Sequence, residues 1–505
     1  EQRRCRQREE RRATRLVLAE GSASMTGARW DVVVIGAGLG GMLAAAMLAR
    51  RGRRVLVLER DAQVGGRLRS YDVDGYVIDA GAYLWPNSHL GHALAAAGAT
   101  GFVASRIPPN EVLRIYVQGH DGRRFSFPWP GRPSSAKLLA AAEAALRADA
   151  HTAQQLFALW EDLAALPEET VGSLMHTPVR TALPRFAPDA RVAAAFRRNL
   201  MLFGTYDPDS ASMGECIRLR RRAAGTPAAV PECAGANPVG GVRALPLALR
   251  ATLQAHGVDL QLGHGVDRIV LEARQVRGVY AHAADPFQCF FAAPTVICNA
   301  PIWTLLDLVA PDHFPEEFVD NARRFDAVGG VVGAAFAFDG LPRLRETGEP
   351  DGFRGWTRLL IGPDAEFGGG LLWTTHHSPR NAPPGRHVLQ AMRLSPAADI
   401  ADAGRVAAIH AAFDAMLREI YLDAEERLRW ARRWISRDGS EYLVTATPRP
   451  PVRVPGVSGL YLVGESTDVP AVQMDAAALS ALRCVELIES PGSGLPQNLQ
   501  HHNQG

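Results

Sequence analysis

The sequence predicts an α/β chain in which a doubly wound parallel sheet is interleaved with a second unit of mixed sheet and helices. Three observations predict it. Near residue 31 a short apolar strand, a glycine-rich turn and an unbroken apolar helix follow one another directly. Short apolar runs suited to strands buried on both faces recur far downstream, at 295–299 and 459–463. Between them lie helical stretches and alternating strands such as 331–338, which belong to a sheet of a different kind.

Taken in order, residues 31–35 read D-V-V-V-I, a buried strand, and 36–41 read G-A-G-L-G-G. Residues 42–51 are rich in Ala and Leu without a breaker and predict a helix that Gly52 ends. A second strand at 55–58 closes on Glu59 and completes a βαβ unit. The aromatic, Pro-rich stretch 125–133 reads as a loop or edge turn. Helices are expected at 134–147, 153–165, 191–201 and 244–255, with a basic run at 218–222 before a Gly/Pro-rich stretch. Strands are expected at 259–262, 266–271, 276–282 and 331–338, and 371–375 and 387–392 continue the last of these sheets. An amphipathic helix at 406–420 and a final helix at 474–488 complete the order.

The expected division gives residues 25–100, 232–300 and 451–490 to the parallel-sheet domain. Residues 101–231 and 301–450 form the other domain. Residues 1–24 are arginine-rich with no apolar core; they read as a disordered extension before Met25, and 491–505 as a flexible tail.

Composition narrows the function. The chain has 505 residues, 47% apolar and 21% charged, an ordinary globular usage that excludes a disulfide mini-domain, a collagen-like fibre and wholesale disorder. A net charge of +2 provides no global basic field, so no nucleic-acid partner is expected. The six cysteines contain no C-x-x-C pair, which argues against a zinc site and for a reducing, cytoplasmic setting. No apolar run reaches the ~18 residues of a membrane span. Lys137 is the only lysine among 55 basic residues, a bias that fits a GC-rich genome. Schiff-base or lysine general-base chemistry would have to use it, because arginine stays protonated.

Gly36, Gly38 and Gly41 fit G-x-G-x-x-G in its required context of strand, helix and second strand, and Glu59 follows Gly36 by 23 residues. Gly36 permits the tight turn, Gly38 admits a pyrophosphate to the backbone, and Gly41 allows the helix to pack close to the strand. The helix N-terminus then favours the anion, and Glu59 can accept from both ribose hydroxyls. This is the pattern of a Rossmann-like dinucleotide-binding domain.

The residues that follow point to FAD rather than NAD. Val64-Gly65-Gly66-Arg67 brings glycine backbone and a guanidinium to the second phosphate, a geometry arginine matches well. Then come Y-V-I-D-A-G at 76–81 and, near the C-terminus, G-L-Y-L-V-G-E at 459–465. With D-V-V-V-I-G-A-G-L-G-G, V-L-V-L-E-R-D-A-Q-V-G-G-R, P-V-G-G-V-R-A-L-P-L-A-L, L-G-H-G-V-D-R-I and V-I-C-N-A-P, the sequence resembles the FAD-dependent phytoene desaturase and amine oxidase superfamily, and phytoene-dehydrogenase-related proteins within it. The resemblance implies a non-covalent FAD held by Gly36, Gly38, Gly41 and Gly66 at the pyrophosphate, with Glu59 on the adenosine ribose. Arg60 is counted with the cofactor-binding set, and Arg67 would contact phosphate. Gly81 and Ala82 would lie near the isoalloxazine, and the Val266 backbone near the adenine. Gly464 and Glu465 would meet pyrophosphate and ribityl, and Met474 would bring its N–H to the flavin N1/O2 edge. The stretch 466–474 departs from the family in lacking the glycines usual there, so the active site is expected to be shaped differently at that edge.

The same resemblance implies a FAD-dependent oxidoreductase that dehydrogenates, isomerises or saturates a hydrophobic isoprenoid or polyene. No catalytic base stands out. Tyr83, Trp85 and His89 are candidates to line a substrate cavity. His376 and His377 are expected on opposite faces of a strand, one at the surface and the other a pocket candidate. The rival reading is a lysine-free amine oxidase with Trp434 and Tyr442 as an aromatic pair; a third is a flavin-binding partner without turnover. Gly329–Gly333 precedes a strand rather than a helix, so electrons are expected to leave to oxygen, a quinone or a partner protein, not through a second nicotinamide site. The basic run R-L-R-R-R at 218–222 reads as a solvated turn or as a peripheral contact with anionic headgroups on the inner face of the membrane.

Overall fold

The computed structural model describes residues 30–80, 89–101, 103–107, 113–118, 124–129, 146, 148–187, 189–202, 207–225, 235–283, 287–325, 330–360, 370–436, 446–471 and 473–490. The expectations for 1–24, Gly81, Ala82, Tyr83, Trp85, Lys137, most of 134–147, Tyr442 and 491–505 lie outside the described residues.

The centre is a five-stranded, all-parallel sheet in the order Leu460–Leu462, Val296–Cys298, Val32–Ile35, Val55–Glu59, Asp259–Leu262. The first strand lies in the middle because V-V-V-I is apolar at every position and is buried on both faces. Helix Leu39–Ala49 is apolar all round and has ten buried residues, as a helix packed on every side must be. It shares one core with helices His89–Ala97, Ala244–Ala255 and Gln473–Glu489. The opposite face of the sheet is covered by the antiparallel strands Gly265–Glu272, Gln275–His282 and Gln288–Ala292 and by helices Ile302–Leu308 and Glu316–Arg324.

The second unit is built on a seven-stranded mixed sheet, ordered Leu428–Ser436, Gly330–Asp339, Arg386–Ser395, Gly370–Trp373, Trp356–Leu360, Leu113–Gln118, Arg124–Trp129. It is mixed because Trp356–Leu360 and Leu113–Gln118 run parallel while its other pairings are antiparallel. Helix Ala403–Ile420, N-capped by the Asp402 carboxylate on the Arg405 N–H, covers one face. The other face meets the hairpin Ser70–Val73 and Tyr76–Asp79 of the first unit. Helices from Ala150–Ala165 to Met213–Gly225 enclose a separate apolar core.

Two local expectations are corrected. Of the stretch 125–133, expected as a loop or edge turn, residues 125–129 belong to the edge strand Arg124–Trp129; Pro128 is tolerated there because an edge leaves one row of N–H groups unused. The expected strand 371–375 ends at Trp373, and Thr374–His376 turn into a 3₁₀ helix. His376 and His377 therefore do not alternate across a sheet, and neither lies at the surface. Both rings turn inward, His376 Nε2 to the Asp351 carbonyl (2.8 Å) and His377 Nε2 to the Arg354 carbonyl (2.7 Å). Burial holds both below the usual imidazole range, His377 down to about 4.

Candidate cofactor and substrate site

The glycine turn emerges from the C-terminal end of the central strand. Gly36 sits at φ +94°, a conformation that excludes most side chains. A Cβ on Gly38 would overlap Asn299 Nδ2, and one on Gly41 would overlap the Gly36 carbonyl. Helix Leu39–Ala49 starts here with no side-chain cap and no acid in its first turn, which leaves its N-terminal donors and positive end to an anion. Gly38 also makes a parallel bridge to Gly65, so the second glycine pair closes the same cradle, with a Gly66 Cβ lying 3.4 Å from Gly38 Cα.

Glu59 is nearly buried. Its Oε2 accepts from the Ala37 N–H at 2.7 Å and its Oε1 from the Asp61 N–H at 2.9 Å. The acid thus fixes the turn as well as closing the second strand. Arg60 is largely exposed, 4.0 Å from Asp61, beside the start of strand Gly265–Glu272, which carries Val266. Arg67 Nη1 donates to Glu465 Oε1 at 2.6 Å, joining two expected cofactor residues across the crevice. Gly464 turns at φ +123°, and its N–H donates to Ser480 Oγ at 2.9 Å. Gly36, Gly38, Gly41, Glu59, Gly66, Arg67, Gly464 and Glu465 are therefore gathered at the C-terminal ends of the parallel strands. Met474 lies in the first turn of the final helix and is buried. Gln473 takes φ +52°, so the turn into that helix is made without glycine.

The residues present fit a dinucleotide: the turn is built of glycines into which a Cβ would not fit, the helix end is uncapped, and an acid closes the neighbouring strand. That position, at the carboxyl ends of the strands, is where open α/β sheets bind ligands.

Sequence reasoning missed the residues that tie this crevice to the second unit. Asp79, at the end of strand Tyr76–Asp79, is fully buried; Ser70 Oγ donates to its Oδ1 at 2.5 Å and the Val242 N–H at 3.1 Å. Gln390, from the seven-stranded sheet, pairs with the Asp79 backbone in both directions. The Asp79 N–H donates to Gln390 Oε1 at 3.0 Å, and Gln390 Nε2 donates to the Asp79 carbonyl at 2.8 Å. The pair fixes the point where the chain leaves for residues 81 and 82. Asp475 Oδ1 accepts from the Leu90 N–H at 2.9 Å and so caps helix His89–Ala97 from another element. Separations of 163, 311 and 385 residues leave no local signal for the Val242, Gln390 and Leu90 contacts.

Burial pushes the Asp79 carboxyl up to about 6, against the Ser70 and Val242 hydrogen bonds that lower it. Below about pH 4 both folded and unfolded chains hold the proton. Between pH 4 and 6 only the folded chain does, and stability falls by about 3 kcal/mol in total before levelling above pH 6. The stability difference between the parent and Asp79→Asn is expected to fall by about that amount between pH 4 and 8 in urea titrations, since the amide does not titrate. A pH-independent difference would show that burial does not perturb this group.

Behind the seven-stranded sheet lies a buried ionic cluster. Arg114 pairs bidentately with Asp351 (2.9 and 2.7 Å), and Tyr421 OH and Trp373 Nε1 donate to Asp351 Oδ2 at 2.7 and 3.1 Å. Burial raises the Asp351 carboxyl, but Arg114 outweighs it and holds the group below the usual range. This cluster is on the face covered by helix Ala403–Ile420, not the face toward the crevice.

The face toward the crevice is different. Alternation along Gly330–Asp339, Arg386–Ser395 and Leu428–Ser436 places Gly333, Ala335, Gln390, Met392 and Trp434 on it. Trp434 lies over Gly333, whose Cβ would overlap the indole; Trp356 lies over Gly370, whose Cβ would be 2.7 Å from its ring. His89 begins its helix near Asp475.

A family model described as flavin containing amine oxidoreductase matches residues 39–488. The chain belongs to this family. It is a FAD-dependent oxidoreductase, and its fold agrees with that of solved oxidoreductase structures. An oxidoreductase from Methanosarcina mazei superposes with a TM-score of 0.64 at 18% identity, over 90% of this chain and 99% of that one. Wild-type putrescine oxidase bound to putrescine superposes with a TM-score of 0.62 at 18% identity, over 92% and 99%. Among curated relatives, a Myxococcus xanthus zeta-carotene-forming phytoene desaturase is 26% identical over 302 residues, 56% of this chain and 55% of that protein. Amine oxidase A of Equus caballus is 38% identical over 118 residues, 23% and 21%. An inactive all-trans-retinol 13,14-reductase of Danio rerio is 50% identical over 68 residues, 13% and 11%. Each match spans less than two thirds of the relative's own length.

Among the described residues no helix is long and apolar enough to cross a membrane. Arg218 and Arg221 of the basic run hold Glu168 at 2.6 and 2.8 Å, and Arg221 Nε donates to the Ala164 carbonyl, so these two side chains brace neighbouring helices.

Proposed function

We propose that this oxidoreductase is phytoene desaturase-like and dehydrogenates, isomerises or saturates a hydrophobic isoprenoid or polyene. The observation that carries the reading is the sheet face toward the crevice. At its centre it has Gly333, Ala335, Met392 and Gly370 between the indoles of Trp434 and Trp356, and Gln390 is already engaged. None of these residues is a carboxylate, so an ammonium group would have only the indole faces to replace its water. A flat apolar chain gains by burial, at roughly 25 cal/mol per Å². Relatives named for phytoene, hydroxyneurosporene and retinol support the same substrate class.

Bound FAD supplies the hydride acceptor, flavin N5. In this reading Gly36, Gly38, Gly41, Gly66, Arg67 and Gly464 hold its pyrophosphate. Glu59 and Arg60 lie on the adenosine side, and the Val266 backbone meets the adenine. Glu465 meets the ribityl chain, and Met474 brings an N–H to the pyrimidine edge. Gly81 and Ala82 are assigned to the isoalloxazine face. In this reading FAD is held without a covalent bond, and the segment between Ile420 and Gly464 offers no Cys or His to tether it. Oxygen, a quinone or a protein takes the electrons onward. Peripheral membrane contact follows from the insolubility of the substrate and not from Arg218 or Arg221.

A second reading, a lysine-free amine oxidase, is favoured by the Trp434 indole on that same face and by the amine oxidase A match. An anaerobic bleaching assay separates them. The visible flavin band is expected to fade with an isoprenoid polyene in liposomes and to persist with a panel of amines. Bleaching by amines alone overturns the proposal.

A further inference from the structure

We propose that Asn299 is a cofactor-binding residue whose side-chain amide donates to the pyrophosphate of the dinucleotide. The proposal rests on the reading that FAD lies across the glycine turn. Asn299 follows strand Val296–Cys298, the parallel neighbour of the central strand, and its N–H donates to the Ile35 carbonyl at 2.8 Å. The backbone is thereby pinned one residue from the start of the glycine turn. The side chain reaches over that turn. Its Nδ2 occupies the space of a Gly38 Cβ, its Oδ1 would be 2.9 Å from a Gly40 Cβ, and its own Cβ would be 3.1 Å from a Gly41 Cβ. The same Oδ1 would be 3.6 Å from a Cβ on Gly464. Asn299 is thus the side chain shared by the two glycine segments, 36–41 and 464, that the cofactor would have to bridge.

The chemistry of this position is selective. Asn299 is only partly buried, and its amide makes no hydrogen bond to another described residue, whereas its neighbours Gly464, Ser480 and Glu59 are all engaged. An amide offers two donors from Nδ2 and an acceptor from Oδ1. Beside an uncapped helix N-terminus and glycine N–H groups, a neutral donor adds to anion binding without a charge that would need neutralising when the site is empty. A packing role alone would be served equally by the isosteric carboxylate. A phosphate-binding role would not, because an aspartate would place a negative charge against the anion.

The test uses purified full-length chain stripped of flavin, with FAD and ADP as probes in equilibrium titrations. ADP carries the pyrophosphate and ribose but no flavin. Asn299→Ala is expected to weaken both probes by about 10–100-fold, the usual loss for a hydrogen bond to a charged group. Asn299→Asp is expected to weaken both by more, with part of the loss recovered at high salt as the repulsion is screened. Asn299→Ser, which keeps a shorter donor, is expected to fall between parent and Ala. Thermal midpoints of the flavin-free Asn299→Ala and Asn299→Ser should stay close to that of the parent, and that of Asn299→Asp at or above it because a helix N-terminus favours a carboxylate, showing that the variants fold. FAD and ADP binding to Asn299→Asp at parental affinity overturns the proposal. Loss of FAD binding with unchanged ADP binding also overturns it, by placing the amide on the flavin side. If the parent itself binds neither probe, the assignment of the crevice to FAD fails, and with it this proposal.

Discussion

Replacing Asp351 by alanine is expected to destabilise the second unit by about 3–5 kcal/mol, among the largest single-residue effects in the chain. Asp351 is wholly buried and receives both Nη groups of Arg114, the Tyr421 hydroxyl and the Trp373 indole. Removing it leaves Arg114, 8% exposed, without its counter-charge, and takes an acceptor from the Tyr421 hydroxyl, the Trp373 indole and the Phe353 N–H. The Arg114 stack on Phe353, 4.5 Å from ring centroid to Cζ, does not replace that charge. Tyr421→Phe should cost far less, about 1–2 kcal/mol, because Arg114 and Trp373 still satisfy the carboxylate. Exchanging Arg114 and Asp351 together for apolar residues should recover much of the loss, since the cost lies in the unpaired charge rather than in the missing pair. Urea midpoints of the three variants check this. An Asp351→Ala loss no larger than that of the exposed Arg386–Asp339 pair would mean that the cluster is not as dry as its geometry indicates.

Gly41→Ala is expected to abolish FAD retention. The added Cβ would overlap the Gly36 carbonyl and lie 3.1 Å from Asn299 Cβ and 3.2 Å from Val34 Cγ1. Two of these neighbours are the turn and strand that shape the cradle, so the helix must move away from the strand and its N-terminal donors move with it. A loss of at least ~100-fold in FAD affinity is expected, equivalent to about 2.7 kcal/mol. Gly91→Ala supplies the comparison. Gly91 lies in helix His89–Ala97 with open space around it, so the change should leave FAD binding intact and stabilise the helix by about 0.5–1 kcal/mol. Equal retention of FAD by both variants would show that close packing at Gly41 does not shape the site.

Much of the parallel-sheet unit was legible because its causes are local. The run V-V-V-I, the glycine spacing and the Ala/Leu helix each dictate their own conformation, and Glu59 closes the second strand at the residue the spacing indicated. The residues that join the units were not legible. Gln390 meets Asp79, and Asp351 meets Arg114, only after the whole sheet has assembled, and nothing in either neighbourhood announces the partner. Asn299 was visible as part of V-I-C-N-A-P, but its place over Gly38 depends on strand Val296–Cys298 lying beside Val32–Ile35. The histidine expectation failed because alternation was extended past Trp373, whereas the chain turns there to reach the carbonyls of residues 351 and 354. At the final helix, the missing glycine does not remove the turn; Gln473 adopts the left-handed conformation instead, at a cost of about 1–2 kcal/mol.

The most direct measurement is the visible spectrum of the purified chain before and after denaturation, with the released flavin identified in the supernatant. The expected result is a flavin band in the native protein and FAD, one per chain, freed completely on unfolding. A protein that shows no flavin band even after incubation with FAD would contradict the account at its centre. Flavin that stays bound to the unfolded chain would contradict the non-covalent site described above.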